Sequence, residues 1–526
     1  MRAYVGRLVG AQAAAHGWGA TFRSFFHPRV VTMLFLGFSA GLPLLLIFSS
    51  LSLWLREAGV ERAAVTFFSW AALGYAFKYV WAPLIDRLPV PVLTRLLGRR
   101  RGWMLVAQGL IIAAILAMAF TDPAKSQASL TLMAFAAVLL GFSSATQDIV
   151  IDAYRIESAG SELQAMLSAA YIAGYRLGML VAGAGALFLA GSFGTAMGQY
   201  HYPAWRWTYT LMAAIMLVGV VTTLLIPEPA SHHHDEAGCR TWDYLRFVLL
   251  FVLAVSGFIG VFFCSAHAVG PLQRVLSGSG EHGRVVGFAI AMLRLGVAWL
   301  AAWLVAWTAM GMGVVDRAMV RTAYLEPVRD FFRRYGIRTA WLLLTLVGVY
   351  RISDIVLGVI ANIFYQDLGF SKGEIATIVK TFGLLMTLAG GFLGGVLAAR
   401  YGVLRILFLG ALLSAATNLL FMLLAHMGHN PLMLYIVISA DNLSAGLAST
   451  AFVAFLSSLT SVSFTAMQYA IFSSLMTLFP KLLGGYSGSI VEALGYPTFF
   501  LLTTLLGVPV LLLVWCAGRQ LVVKID

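Results

Sequence analysis

Stretches of about 20 predominantly apolar residues recur along the chain, separated by short polar segments. A helix needs roughly 20 apolar residues to cross the hydrocarbon core of a bilayer. Hydrophobic types make up 60% of the sequence and charged types only 11%, whereas soluble domains hold about 45–50% and about 25% respectively. The composition therefore excludes a soluble multidomain enzyme and a disordered chain. Fourteen segments satisfy the length requirement: 30–55, 63–86, 103–121, 130–153, 165–191, 206–226, 245–268, 286–310, 340–364, 374–399, 404–426, 432–458, 465–491 and 497–518.

The spans predict an all-α polytopic membrane protein, because a helix satisfies its own backbone hydrogen bonds in lipid. The alternating ten-residue strands of an outer-membrane barrel are absent from the sequence. We expect two six-helix bundles with two extra central helices. The predicted segments are an N-terminal tail (1–29), a six-helix bundle (30–226), a central segment with two spans and a basic amphipathic stretch (227–339), a second bundle (340–518) and a C-terminal tail (519–526).

The distribution of Lys and Arg predicts the orientation, because cytoplasmic loops are enriched in these residues. With the N-terminus inside, the predicted cytoplasmic segments hold 22 of the 35 Lys and Arg residues and the outer loops hold seven. Both termini are therefore expected in the cytoplasm, and residues 1–29 are interpreted as a tail rather than a removable signal peptide. The net charge of +13 is explained by this topology, so no nucleic-acid partner is expected.

Charges inside the spans recur at matching helix numbers in the two predicted bundles. The second helix of each bundle carries Lys78 or Lys380, the fourth Asp148 or Asp441, and the fifth Arg176 or Lys481. A charge inside the bilayer is costly and marks a functional pathway unless it is neutralised locally. The repeat favours two homologous bundles around a central polar path, as in transporters. Local ion pairs that hold helices together are the alternative.

The segment Gln147-Asp-Ile-Val-Ile-Asp152 is the richest in chemistry. Asp148 and Asp152 are four residues apart and share a helical face, with Gln147 beside them. Burial penalises the ionised form of a carboxyl group, so Asp148 is interpreted as a proton-carrying acid. A structural pair with Arg155 or Arg176 is the alternative. For Asp152, a gate or a salt bridge is an equally good interpretation.

The remaining intramembrane polar residues are candidate substrate ligands. Arg176 can bind a carboxylate bidentately. Arg351 and Asp354 either form an intrahelical pair or bind and release an anionic group. The candidates that complete the set are Lys78, Lys380, Asp441, Asn442 and Gln468.

The sequence lacks the motifs of ATP binding, catalysis and metal binding. No GxxxxGK[ST] sequence and no nucleophile–base constellation occurs, which argues against ATP-driven transport and catalysis. His232, His233 and His234 lack further ligands at fixed spacing, so no metal and no cofactor is expected, and the energy source is expected to be a proton gradient. Glycines in the fifth and tenth spans, among them Gly174 and Gly390, predict close helix packing.

Several strings carry a family resemblance. The loop Asp86-Arg87 with Arg99, Arg100 and Arg101 resembles the acidic-basic signature of the major facilitator superfamily, which implies a gating role for these five residues. More specifically, the chain resembles the AmpG muropeptide permeases in the strings Leu36-Gly-Phe-Ser-Ala-Gly-Leu-Pro43, Phe77-Lys-Tyr-Val-Trp-Ala-Pro-Leu-Ile-Asp-Arg87, Ala145-Thr-Gln-Asp-Ile-Val-Ile-Asp-Ala-Tyr154 and Ser463-Phe-Thr-Ala-Met-Gln-Tyr469.

The resemblance implies a bacterial inner-membrane symporter that imports GlcNAc-1,6-anhydro-MurNAc and its peptides with protons. In that family the imported fragments feed cell-wall recycling and β-lactamase induction, and the family's essential acid falls on Asp148. A monomer with a small-molecule substrate is expected. Two alternatives stay open: transport of another anionic solute such as an acyl-CoA or a small peptide, and a muropeptide receptor that does not transport.

Overall fold

The chain was analysed as a computed structural model, which describes residues 23–60, 75, 77–195, 198–229, 241–276, 281–313, 315 and 317–523. We number the helices so that each number matches its predicted span. Their bounds are α1 Pro28–Glu57, α2 Ala82–Arg87, α3 Arg99–Ala119, α4 Gln127–Ser158, α5 Glu162–Ser192, α6 Tyr202–Leu225, α7 Thr241–Leu276, α8 Glu281–Gly311, α9 Ile337–Asp367, α10 Ile375–Tyr401, α11 Val403–Met427, α12 Pro431–Leu459, α13 Thr465–Gly484 and α14 Ser487–Val523.

Twelve helices within the described ranges are long and apolar enough to cross a membrane, and each overlaps a predicted span. The prediction of an all-helical membrane protein is therefore confirmed. The second predicted span, 63–86, lies mostly outside the described residues, and only its end is seen as α2. The seventh falls within α7, whose described apolar stretch, Arg246–Phe262, is shorter than a full span. The count of fourteen stays a prediction.

The chain divides into two compact units, residues 1–232 with 331–526 and residues 233–330. In the first unit, α1–α6 form an N-terminal half and α9–α14 a C-terminal half. The N-terminal core centres on stacked Trp54 and Trp205, whose rings lie 5.6 Å apart. The C-terminal core centres on Phe364, Phe421 and Phe500, which are buried in mutual ring contact.

Glycines bring two helix pairs into backbone contact, as predicted from the sequence. A Cβ on Gly174 of α5 would overlap the carbonyl oxygen of Leu34 on α1, and a Cβ on Gly390 of α10 would overlap that of Leu443 on α12. Larger residues cannot occupy these positions without separating the helices.

The second unit contains α7 and α8, which pack along each other. The ring of Phe258 on α7 lies 5.4 Å from that of Trp299 on α8. The guanidinium of Arg294 on α8 is hydrogen-bonded to α7, because it donates to the carbonyl oxygen of Phe262 at 2.7 Å and to the hydroxyl of Ser265 at 3.2 Å.

Candidate functional site

At one end of the first unit, a buried cluster of charges joins the two halves. We call this cluster of Asp86, Arg100, Glu157 and Thr465 the latch, and the end of the unit where it lies the latch end. The Arg100 guanidinium, which is 1% exposed, donates to Asp86 at 2.8 Å and to Glu157 at 2.5 and 2.9 Å. It also donates to the hydroxyl of Thr465, at 2.8 Å. That hydroxyl, on the first residue of α13 in the C-terminal half, donates in turn to Glu157.

Asp86 makes a second connection between the halves. Its carboxylate accepts from the backbone N–H groups of Ala466 at 3.1 Å and Met467 at 3.0 Å. These donors lie in the first turn of α13, where the helix has unsatisfied N–H groups and a partial positive charge. A carboxylate of one half therefore caps a helix of the other.

The other arginines of the predicted gate bind within the N-terminal half. Arg99 donates to the carbonyl oxygen of Asp86 at 2.5 Å. Arg101 donates to the carbonyl oxygens of Thr223 and Leu224 at the end of α6, at 3.0 and 2.6 Å. Arg87 is half-buried at the end of α2. The structure thus brings Asp86 and Arg100 into the contact between halves and gives Arg99 and Arg101 supporting positions.

Asp152 takes part in a second contact between the halves. Its carboxylate accepts from Arg155 at 3.0 Å and pairs with Lys78 at 3.8 Å. Arg155 also donates to Ser457 of α12 at 2.7 Å, and its guanidinium lies over the ring of Tyr469 of α13. The side chains of Asp152, Arg155 and Lys78 are all at most 8% exposed.

Asp148 lies one turn away from Asp152 on α4 and is 7% exposed. Its Oδ1 atom is buried and has no hydrogen-bond partner within the described part of the chain. It interacts electrostatically with Lys78 and Asp152. The neighbouring amide of Gln147 donates to the hydroxyl of Ser39 on α1 at 2.8 Å, and its own oxygen is likewise unpartnered among the described residues.

In the C-terminal half, the corresponding charges meet around α9. Arg351 lies 3.6 Å from Asp354, and Asp354 also accepts from the hydroxyl of Ser414 on α11. Asp441 interacts electrostatically with both members of this pair. Asn442 accepts from the hydroxyl of Thr387 at 2.9 Å.

One interaction crosses from this C-terminal cluster to the N-terminal half. The half-buried guanidinium of Arg176 on α5 interacts repulsively with that of Arg351. An anion placed between these two like charges of opposing halves would be attracted by both.

Two predicted ligands lie apart from these clusters. Lys380 is exposed and donates to the amide oxygen of Asn362 at 3.1 Å. It belongs to the π-helical segment Ile375–Phe382 of α10. Gln468 lies at the latch end, where its amide oxygen accepts from Arg334 at 2.8 Å and from the backbone N–H of Ser461 at 2.7 Å. His232–His234, considered above for a metal, lie outside the described residues.

Sequence reasoning missed Glu157 and the tyrosines near Asp148. Glu157 lies at the latch end of α4. The predicted spans put it at the same membrane face as the basic run Arg99–Arg101, and this pairing of an acid with basic residues could have identified it. Tyr75, Tyr171 and Tyr175 all interact electrostatically with Asp148. The recurrence of Tyr171 and Tyr175 at four-residue spacing on α5 indicated a shared face.

Comparisons with known proteins agree with this architecture. The family model of the Major Facilitator Superfamily matches residues 33–325 and 342–521. Among solved structures, the proton:xylose symporter XylE has a TM-score of 0.58 at 13% identity, covering 95% of this chain and 96% of its own. The fucose:proton symporter FucP of Escherichia coli has a TM-score of 0.55 at 14% identity, covering 94% and 99%. The chain is therefore a multi-pass membrane transporter rather than an enzyme.

Relatives with curated names identify the family within this superfamily. The anhydromuropeptide permease of Escherichia coli K12 is 30% identical over 500 residues, which cover 95% of this chain and 82% of the relative. A putative transporter AmpG 4 of Rickettsia conorii is 29% identical over 483 residues, covering 92% and 95%. The chain belongs to the major facilitator superfamily and, within it, to the AmpG permease family.

Proposed function

We propose that this protein imports anhydromuropeptides, GlcNAc-1,6-anhydro-MurNAc and its peptides, in symport with protons across the bacterial inner membrane. The permease relative of Escherichia coli supports the substrate class. The buried carboxyl of Asp148, with its unpartnered oxygen, is the single observation that carries the coupling to protons. In a bacterium that recycles its cell wall, the imported fragments would feed that recycling and induce β-lactamase.

Asp148 is the proposed proton carrier. Its carboxyl is almost fully removed from water, and the nearby cation Lys78 lies 3.8 Å from Asp152. Lys78 therefore divides its attraction between two acids. A carboxyl group that is buried with incomplete compensation gains or loses a proton when its surroundings change. Substrate entry and helix rearrangement supply that change.

The proposed substrate site lies between the halves. Arg176 and Arg351 bind the lactyl or peptide carboxylates of the substrate, while Gln147 and Asn442 bond its hydroxyl and amide groups. The tyrosines beside Asp148 offer flat faces for sugar rings. Because these groups come from both halves, a bound substrate makes contacts that strengthen as the halves close on it.

The latch is the proposed cytoplasmic gate. The loops at the latch end carry the Lys and Arg excess that predicts a cytoplasmic location, and the same excess predicts cytoplasmic termini. With the latch closed, the proposed substrate site communicates with the outside. Release of Asp86, Arg100 and Arg155 from α12 and α13 opens the cytoplasmic exit, and Asp152 takes part because it holds Arg155.

Uptake of labelled GlcNAc-1,6-anhydro-MurNAc into liposomes tests the proposal. Wild-type protein should accumulate the substrate under an inward proton gradient and lose accumulation with a protonophore. Asp148→Asn should lose gradient-driven accumulation while it still binds substrate. Asp122→Asn, in an outer loop, is the matched control and should behave as wild type. Accumulation by Asp148→Asn at the wild-type level would refute the assigned role of Asp148.

A further inference from the structure

A helical stretch follows α8 in the second unit. It begins six residues after Gly311, and its consecutive segments are Arg317–Val320, Arg321–Leu325 and Glu326–Tyr335. Residues 317–330 belong to the second unit, and we call them the linker helix. Only four residues separate α7 from α8. The two helices therefore run antiparallel, and the start of α7 lies at the same end as the end of α8.

One face of the linker helix packs against protein. Met319, Ala323 and Pro327 recur at intervals of four residues and are buried. Beside them, the ring of Tyr324 lies 6.3 Å from that of Phe247 near the start of α7. These contacts hold the linker helix at the end of the unit where α7 begins and α8 ends.

The opposite face is exposed and combines arginines with apolar residues. Its exposed side chains are those of Arg317, Arg321, Leu325, Val328 and Arg329. Leu325 is 63% exposed and Val328 is 41% exposed. A helix at the boundary between headgroups and acyl chains places apolar side chains in the acyl region and extends its arginines toward the headgroups. The composition of this face is that of a helix at a membrane surface.

Tryptophans on α8 locate the membrane boundary nearby. Trp303 and Trp307 are exposed, and their rings stack 6.3 Å apart. Trp is enriched where a helix passes from the acyl chains to the headgroups. Trp307 precedes Gly311, the last residue of α8, by four residues, or about 6 Å. Helix α8 therefore leaves the membrane close to its end, and the linker helix lies near the headgroups of that leaflet.

The exposed charges of the linker helix are all positive. Within residues 317–330 the exposed charged side chains are arginines, and the two acids, Glu326 and Asp330, are half-buried. Arg321 Nε and Arg329 Nη1 lie 3.5 and 3.7 Å from the same Oε1 atom of Glu326. Two guanidinium groups thus share one carboxylate, and such exposed pairs are weak. Their remaining N–H groups suit a phosphate, which guanidinium binds bidentately.

We propose that the exposed face of the linker helix binds the headgroups of anionic phospholipids in the adjacent leaflet, with Arg317, Arg321 and Arg329 as the phosphate ligands. Leu325 and Val328 enter the acyl region beside these arginines, which favours a lipid over a soluble phosphate as the ligand. The second unit thereby serves as an anchor at the membrane surface. This role is independent of the transported substrate.

Fluorescence quenching by labelled lipids tests this surface in the full-length protein. Leu325 is replaced with Cys in a variant whose three native cysteines are Ser, and the new thiol carries an NBD fluorophore. The protein is reconstituted in vesicles of phosphatidylcholine and phosphatidylglycerol, in which one of the two lipids bears a nitroxide on its acyl chain. Comparison of the two labelled lipids gives the preference for phosphatidylglycerol at position 325. We expect a preference of up to about five-fold for each nearby arginine, whereas the same label at exposed Leu300 in the middle of α8 should show none.

Substitutions of opposite effect separate lipid binding from a merely structural role. Arg321→Gln combined with Arg329→Gln should lower the preference toward one. Glu326→Gln removes the acid that both arginines share, so it should raise the preference, an effect that loss of folding cannot produce. Replacement of chloride by inorganic phosphate at equal ionic strength should leave the preference unchanged.

Other results would overturn the proposal. Equal quenching by the two lipids in the labelled parent would show membrane contact without an anionic site. Absence of quenching by either lipid would show that the face lies against something other than lipid, such as an acidic protein. A preference that the substitutions leave unchanged would remove the arginines from the site. A preference that phosphate abolishes would identify a soluble anion as the ligand.

Discussion

Replacing Asp86 with Asn should open the latch. The carboxylate accepts from Arg100 at 2.8 Å and from two backbone N–H groups of α13 at 3.1 and 3.0 Å. Hydrogen bonds to charged groups contribute about 1.5–3 kcal/mol and neutral ones about 0.5–1.5 kcal/mol. Asn keeps one oxygen acceptor and loses the charge, and its NH₂ group faces other donors. We therefore expect the latched state to lose about 2 kcal/mol, which raises the unlatched population about 30-fold.

Thiol labelling measures that population. Thr460, which is 1% exposed and lies five residues before Thr465 of the latch, is replaced with Cys in a variant whose three native cysteines are Ser. When latching is fast compared with labelling, the labelling rate follows the open population. Asp86→Asn should raise the rate about 30-fold. Asp122 follows the end of α3 that lies opposite the latch, so Asp122→Asn should leave the rate unchanged. An equal rate in the Asp86 variant and wild type would refute the bridging role of Asp86.

Three further perturbations test other parts of the structure. Gly174→Val on α5 should lower thermal stability in detergent, because its side chain meets the backbone of Leu34 and overpacking costs about 1–3 kcal/mol. Arg176→Ala should raise the apparent Km for muropeptide uptake, and an unchanged Km would remove it from the binding site. Hydrogen bonds from the backbone and hydroxyl of Ser371 hold the pKa of Glu374 below its ordinary value. Its contribution to stability is therefore present above its ordinary pKa and lost as pH falls through the lowered value, so Glu374→Gln should show a weaker loss of thermal stability on acidification.

The Gly174 and Arg176 variants each have a matched control. Gly191→Val places the same side chain on the same helix where a Cβ meets nothing within 4 Å, so its thermal stability should stay close to wild type. Arg206→Ala removes a guanidinium that lies over the ring of Phe120, just after the end of α3 that lies opposite the latch, and the Km should not change. A fall in stability for Gly191→Val as large as for Gly174→Val would show that helix propensity, not contact with α1, is responsible.

The sequence was sufficient for those features that depend on length, periodicity or local charge. Apolar spans follow from the bilayer thickness, and Gly174 and Gly390 lie at close helix contacts as their small size predicts. The sequence did not predict which residues of the N-terminal half form hydrogen bonds with which residues of the C-terminal half. Thr465 and Ser457 are ordinary polar residues in sequence, and only the fold brings them to Arg100 and Arg155. Gln468 was predicted to bind substrate from its residue type, yet its amide oxygen accepts bonds from Arg334 and Ser461.

The two halves repeat their charges but differ in how those charges are compensated. Lys78 is buried and pairs with Asp152, whereas Lys380 is exposed and donates to a neutral amide. The second helix therefore supplies a buried cation to the acids of the N-terminal half but not to those of the C-terminal half. In the C-terminal half that cation is Arg351, on the same helix as the acid it serves. Arg351 also interacts electrostatically with Arg176 of the N-terminal half, whereas Lys78 interacts with the acids Asp148 and Asp152 of α4. The repeat thus places acids on matching helices of the two halves, whereas the cation that pairs with them comes from a different helix in each half.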